Sequence, residues 1–137
     1  LTFFMPMIAG MTGNTGTQSL AIVVRGLVSQ DVDAKKLIRL IFREFNVGLL
    51  IGLLCGVMVA AVAYIWQGNP MLSLVIGLSL FLTLILGTLA GTIIPIVLAK
   101  LNIDPAIASG PLITTINDIF SLSVYFGLAT LFIHYLV

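Results

Sequence analysis

Asp118 is the residue whose chemistry most needs explaining. It lies deep in a long apolar stretch, and lipid penalises a carboxylate at mid-membrane by about 2.5–3.5 kcal/mol on insertion scales. No Lys or Arg lies deep in any apolar stretch to neutralise it; Arg25, the nearest candidate, lies toward one end of its segment. Gly110, Thr114, Asp118, Ser121 and Tyr125 follow at steps of 4, 4, 3 and 4, which places them on one helical face. Thr115 and Asn117 lie beside that stripe. A small, polar stripe with one negative charge suits a bound cation. The alternative is a protonated Asp118 hydrogen-bonded inside a helix bundle.

The donor set narrows the cation. Zinc or copper would want Cys and His together, and Cys55 and His134 are single residues. Calcium takes six to eight oxygens, usually with several carboxylates, whereas magnesium keeps its waters and needs only one or two. Two chains on a symmetry axis would supply two Asp118 side chains with hydroxyls and carbonyls to hold the waters. The class is a hard divalent cation; the residues alone leave a proton or a sodium ion open.

A second polar run interrupts another apolar stretch. Gly10-Met-Thr-Gly-Asn-Thr-Gly-Thr-Gln-Ser19 carries three glycines and six polar side chains. If the helix stays regular there, Gly10, Asn14, Gln18, Ala21 and Arg25 share one face. If it loosens, carbonyls face a cavity. Lipid satisfies neither, so these groups must meet protein or water. They are either interhelical glue or the wall of a permeation path.

The elements that position these residues are apolar. Of 137 residues 60% are hydrophobic and 8% charged, with a mean hydropathy of +1.22. Soluble domains carry about 25% charged residues. A soluble enzyme, a nucleic-acid binder and a disordered region are excluded, and a net charge of +1 offers no field for nucleic acid. The expected fold is an all-α polytopic membrane bundle with four transmembrane helices, over residues 1–28, 45–66, 71–98 and 105–137. Residues 29–44 form a basic connection with Asp31, Asp33, Lys35, Lys36, Arg39, Arg43 and Glu44. Lys35, Arg39 and Arg43 repeat every four residues there, which reads as the second helix extending into the interface with a basic face. That face is either solvated among lipid headgroups or a docking face for a cytosolic domain.

Basic residues stay cytoplasmic, so the connection 29–44 is expected inside and the C-terminus outside. The first segment then enters from outside, which implies an earlier crossing before Leu1. Gly48, Gly52 and Gly56, followed by Ala60, and Gly87 with Gly91, repeat every four residues and read as close helix-packing faces. Pro95 is expected to kink or end the third helix.

Pro6-Met-Ile-Ala-Gly-Met-Thr-Gly-Asn-Thr-Gly-Thr-Gln-Ser19 resembles the Gly-Gly-Asn-x-Gly-x-Gln segment of the MgtE family of magnesium channels. Asp104-Pro-Ala106 and Pro111-Leu-Ile-Thr-Thr-Ile-Asn-Asp118 resemble that family's Asp-Pro-Ala turn and Pro-Leu-x-x-Thr-x-x-Asp helix. With the basic stretch Asp31–Arg43 between them, the motifs cover almost the whole chain.

The resemblance implies a homodimer with five helices per subunit and a pore on the dimer axis, this chain being the last four. It implies Mg2+ as the transported ion, with Mn2+, Co2+ or Ca2+ as substitutes. Asp118 would hold hydrated Mg2+, aided by Thr114, Thr115, Gly13 and Asn14. Gly10, Thr17, Gln18, Gly110 and Ser121 would line the pore. It further implies a bacterial inner membrane and a cytosolic regulatory domain outside this segment. The chain departs from the pattern at Thr12, Thr17 and Gly110, where relatives carry Gly, Asn and Asn. A Na+- or H+-coupled transporter using Asp118 and a non-transporting membrane anchor or assembly module are the alternatives.

Overall fold

The computed structural model describes residues 2–28 and 33–136 of the chain, with the backbone alone for Val28 and Leu136. A single 3-10 turn at Thr2–Phe4 leads into α1 (Met5–Val28). α2 (Ala34–Gln67), α3 (Pro70–Lys100), α4 (Gly110–Leu131) and the short α5 (Ile133–Leu136) follow. No strand occurs among the described residues.

The turns follow from local chemistry. Gly68 adopts φ 65°, the left-handed conformation that closes a helix, and its N–H donates to the Tyr64 carbonyl at 2.8 Å. Asn69 then accepts from the Met71 and Leu72 N–H groups, both at 3.0 Å, while Pro70 fills the first position of α3, where no N–H is needed. Asp104 does the same for the 3-10 turn Pro105–Ile107, accepting from the Ala106 N–H at 2.9 Å.

Charge misplaces the start of the second helix. Residues 34–44, which composition assigns to the connection 29–44, are the first turns of α2, begun by Asp33, which accepts from the Ala34 N–H at 3.1 Å. The helical repeat of Lys35, Arg39 and Arg43 is the signal that agrees with this start. Residues 29–32, with Asp31, lie outside the described residues, as do Leu1 and Val137. α4 starts five residues later than the predicted 105 and breaks at Phe132. Pro95 neither ends α3 nor stops the helix before Lys100.

Among the described residues α2, α3 and α4 are long and apolar enough to cross a membrane. α1 has 24 residues, which at about 1.5 Å each suffice in length for a ~30 Å hydrocarbon core. The polar run from Gly10 to Ser19 keeps it out of that apolar class.

α3 is the central helix. It is the most buried of the long helices, with Val75, Ile76, Leu80 and Leu84 inaccessible, while Leu74, Leu86, Ile93 and Val97 keep one side open, as a helix that is apolar all round allows. Its Ser79, Thr83, Thr88 and Thr92 hydroxyls donate to carbonyls of its own helix, which makes them compatible with a dry interior. α2 packs one glycine face on α3 and leaves Leu50, Leu53, Leu54, Val57 and Met58 more than half exposed, a surface suited to lipid. A methyl carbon added at Gly56 would lie 2.8 Å from the Gly77 carbonyl, and one at Gly77 would lie 2.7 Å from the Ala60 methyl. Gly48 likewise abuts Thr88, and Gly52 the Phe81 carbonyl.

Candidate functional site: the polar face of α1 and α4

α1 stays helical through its glycine-rich run. Gly10, Asn14, Gln18, Ala21 and Arg25 therefore share one face, and all five are exposed. The opposite side of α1 is buried through Thr12, Gly13, Thr15, Gly16 and Ser19. The three glycines divide accordingly. A methyl carbon at Gly10 would meet nothing within 4 Å, whereas one at Gly13 would lie 3.0 Å from the Thr114 methyl. Gly16 has no room at all, lying against the Asn117 amide and the Gly91 backbone.

α4 runs antiparallel to α1 in this seam. Gly13 meets Thr114, Gly16 meets Ile113 and Asn117, and Gly110 approaches Thr17 at 3.8 Å when given a methyl carbon. That register puts Thr114 level with Asn14, and Asp118 level with Gly10. A side chain added at Gly10 would meet nothing within 4 Å, so the α1 face is open at the level of Asp118. Asp118 is partly exposed, and no side chain among the described residues pairs with it. Thr115 is exposed and Thr114 half-buried on the same helix.

The hydroxyls of the site do not bind helices together. Thr12, Thr15 and Thr17 donate to Ile8, Met11 and Asn14, at 2.7, 2.7 and 2.9 Å. Thr114 and Thr115 donate to Gly110 and Pro111, at 2.8 and 2.9 Å. Each spends its one proton on its own helix; Thr12 and Thr15 are buried, whereas Thr17, Thr114 and Thr115 keep accessible oxygen lone pairs to accept, the chemistry that suits the waters of a hydrated cation. Ser121 is buried and donates to the Asp118 carbonyl at 3.0 Å, so within one chain it lies beneath the face rather than on it.

Two residues with larger structural roles are quiet in the sequence. Asn117 is fully buried and donates from Nδ2 to the Thr12 carbonyl at 3.3 Å, tying α4 to α1 next to Asp118; its Oδ1 has no partner. Its adjacency to the stripe was the one signal available. Glu44, grouped by charge with the basic connection, is 1% exposed. It accepts from the Ser19 hydroxyl at 2.8 Å and pairs with Arg43 at 3.3 Å, joining α1 to α2. Glu44 stands four residues before Gly48 and so extends the glycine stripe; that spacing was its signal.

No group of three or more His, Cys, Asp or Glu side chains that could hold a metal occurs among the described residues. A dehydrated ion held wholly by side chains has no ligand set here, whereas a cation that keeps its water shell needs little more than a carboxylate and hydroxyl acceptors.

The MgtE family pattern, described as a divalent cation transporter, matches residues 5–128, a span that takes in both faces of this seam. The chain belongs to the MgtE family. MgtE proteins are a family of transporters rather than enzymes. The chain is 64% identical over 134 residues to the magnesium transporter MgtE of Bacillus subtilis. It is 42% identical over 137 residues to that of Enterococcus faecalis, and 37% over 131 residues to that of Thermus thermophilus. These matches cover 98%, 100% and 96% of this chain but 30%, 30% and 29% of the relatives. The chain thus spans less than a third of the length of the MgtE relatives it matches.

Proposed function

We propose that this chain is the pore-forming part of a magnesium channel, in which two copies set their α1–α4 faces around one axis and pass hydrated Mg2+ between paired Asp118 carboxylates. The observation that carries the reading is Asp118 itself, partly exposed on a candidate membrane-crossing helix, without a counter-charge among the described residues, and level with the open α1 face at Gly10. A carboxylate left so in lipid would be costly; water and a cation in the same space remove the cost.

Each residue then has a role. Asp118 supplies the charge, and the Thr114 and Thr115 oxygens accept from the waters of the ion. Asn14 and Gln18 extend the polar wall along α1, with Thr17 at its edge. Gly10, Gly13 and Gly110 keep the wall thin. Contact through water rather than through inner-sphere ligation binds weakly enough for the ion to leave again. A 2+ ion gains about 4.6 kcal/mol per 100 mV on moving inward, so the membrane potential suffices to drive it.

In this reading α1 crosses the membrane with the other three long helices. The basic start of α2 lies on the cytoplasmic side of a bacterial inner membrane and the C-terminus outside, and the regions of the MgtE relatives beyond this segment include the cytosolic regulatory part. Mn2+, Co2+ and Ca2+ are the candidate substitutes.

Mg2+ flux in liposomes holding the full-length protein tests this. Flux should persist without Na+ or a proton gradient and fall on the order of tenfold or more in Asp118→Asn, about 1.4 kcal/mol or more of lost stabilisation. Flux that vanishes with those gradients would replace the channel by coupled exchange at Asp118. Full flux in Asp118→Asn would remove Asp118 from the path.

A further inference from the structure

We propose that the basic cleft at the start of α2 is a headgroup site for an anionic phospholipid whose acyl chain lies along the apolar stripe below it. Lys36, Arg39 and Arg43, with Leu40, line a cleft of about 190 Å3. Their spacing puts them on one helical face, and the same face continues through Val47, Leu50, Leu54 and Met58 at steps of three and four. Those four are 37%, 58%, 57% and 67% exposed. Gly48, Gly52 and Gly56, on the other side of α2, are the ones packed on α3. The stripe is therefore open along its length and headed by positive charge.

The dimensions fit one leaflet. From Arg43 to Leu54 the helix rises about 16 Å at 1.5 Å per residue, half of a hydrocarbon core of about 30 Å. α2 has 34 residues, about 51 Å in length, so its first turns must stand at headgroup level if the rest crosses.

The charge is arranged from beneath. Arg43 donates from two guanidinium nitrogens to Glu44 Oε1, at 3.3 and 3.4 Å, and Glu44 is itself fixed by Ser19. The buried Glu44 carboxylate offsets Arg43, and Arg39 has no acidic partner among the described residues, so the cleft keeps a positive charge that favours an anionic headgroup over a zwitterionic one. A soluble protein partner would meet the basic turns equally well but would not reach the apolar stripe below them.

Native mass spectrometry of the full-length protein with dioleoyl phosphatidylglycerol, dioleoyl phosphatidylcholine and inorganic phosphate tests this. Phosphatidylglycerol should be retained over both others. A basic side chain near an anionic surface strengthens binding about fivefold, so Arg39→Gln should weaken retention about fivefold and replacement of Lys36, Arg39 and Arg43 by Gln on the order of a hundredfold. Leu50→Asn with Leu54→Asn should weaken phosphatidylglycerol and leave inorganic phosphate unchanged. If the triple variant does not fold, Arg39→Gln, at an exposed position, decides alone. Unchanged retention in Arg39→Gln, or phosphate held as tightly as the lipid, overturns the proposal. So would basic-face variants that keep the lipid yet lose crosslinks to the soluble region of the protein, which would make the face a protein docking surface.

Discussion

The α2–α3 seam and the α1–α4 seam are built from the same small residues and end in opposite states. Between α2 and α3, every glycine of the stripe meets backbone or a side chain of the other helix, and the seam is closed within one chain. Between α1 and α4, Gly13 and Gly16 close one side, while Gly10, Asn14 and Gln18 stand exposed on the other and Asp118 partly so. Glycine spacing alone therefore does not distinguish packing from function. In the proposed reading the polar residues interleaved with the glycines do, because lipid will accept a bare glycine and penalises Asn, Gln and Asp.

The largest effect should come from the closed side. Gly91 lies directly on the Gly16 backbone, which cannot move aside as a flexible side chain could. Gly91→Ala is expected to cost about 3 kcal/mol, the upper end of overpacking, read as loss of folded protein in thermal denaturation. A variant as stable as wild type would mean that the buried side of α1 is not closed against α3.

Next is the tie between α1 and α2. Ser19→Ala leaves a buried Glu44 oxygen without its donor and should cost about 1–3 kcal/mol by the same measurement. A cost near zero would mean that water replaces the hydroxyl and that this end of the bundle is wet.

A smaller effect should come from the ion. Mg2+ at ten times its Kd should stabilise the full-length protein by about 1.4 kcal/mol by mass action. Asp118→Asn should lose that increment while keeping its stability in Mg2+-free buffer. An equal increment in both would place the stabilising site elsewhere.

The smallest stability effect should be at Gly10, where a methyl group meets nothing. Gly10→Ala should leave stability unchanged or raise it by up to about 1 kcal/mol, as alanine favours helix, yet lower Mg2+ flux by narrowing the space beside Asp118. A stable variant with full flux would move the path away from α1.

Much of this arrangement was legible in the sequence, for physical reasons. The four apolar stretches are helices because nothing but helix length and apolarity needs reading there. The exposed face from Gly10 to Arg25 followed from a 3.6-residue period once α1 proved regular. The Gly68-Asn69-Pro70 turn followed from residues with one conformational use each. The rest depends on neighbours that a linear pattern does not contain. Glu44 reads as one more charge in a charged stretch, and only the packing of α1 on α2 buries it against Ser19. Asn117 reads as a neighbour of Asp118, and only the antiparallel register aims its amide at the Thr12 carbonyl. Ser121 shares the period of the stripe but is buried, since α4 turns that part of its face inward along with Tyr125.

Anomalous diffraction from crystals of the full-length protein soaked in Mn2+ tests the central claim most directly. One ion is expected on the two-fold axis, flanked by two Asp118 carboxylates at more than about 3.5 Å, a distance that leaves room for water between them. Asp118 side chains directed into acyl chains, or an arginine paired to each of them with no ion between, would contradict it.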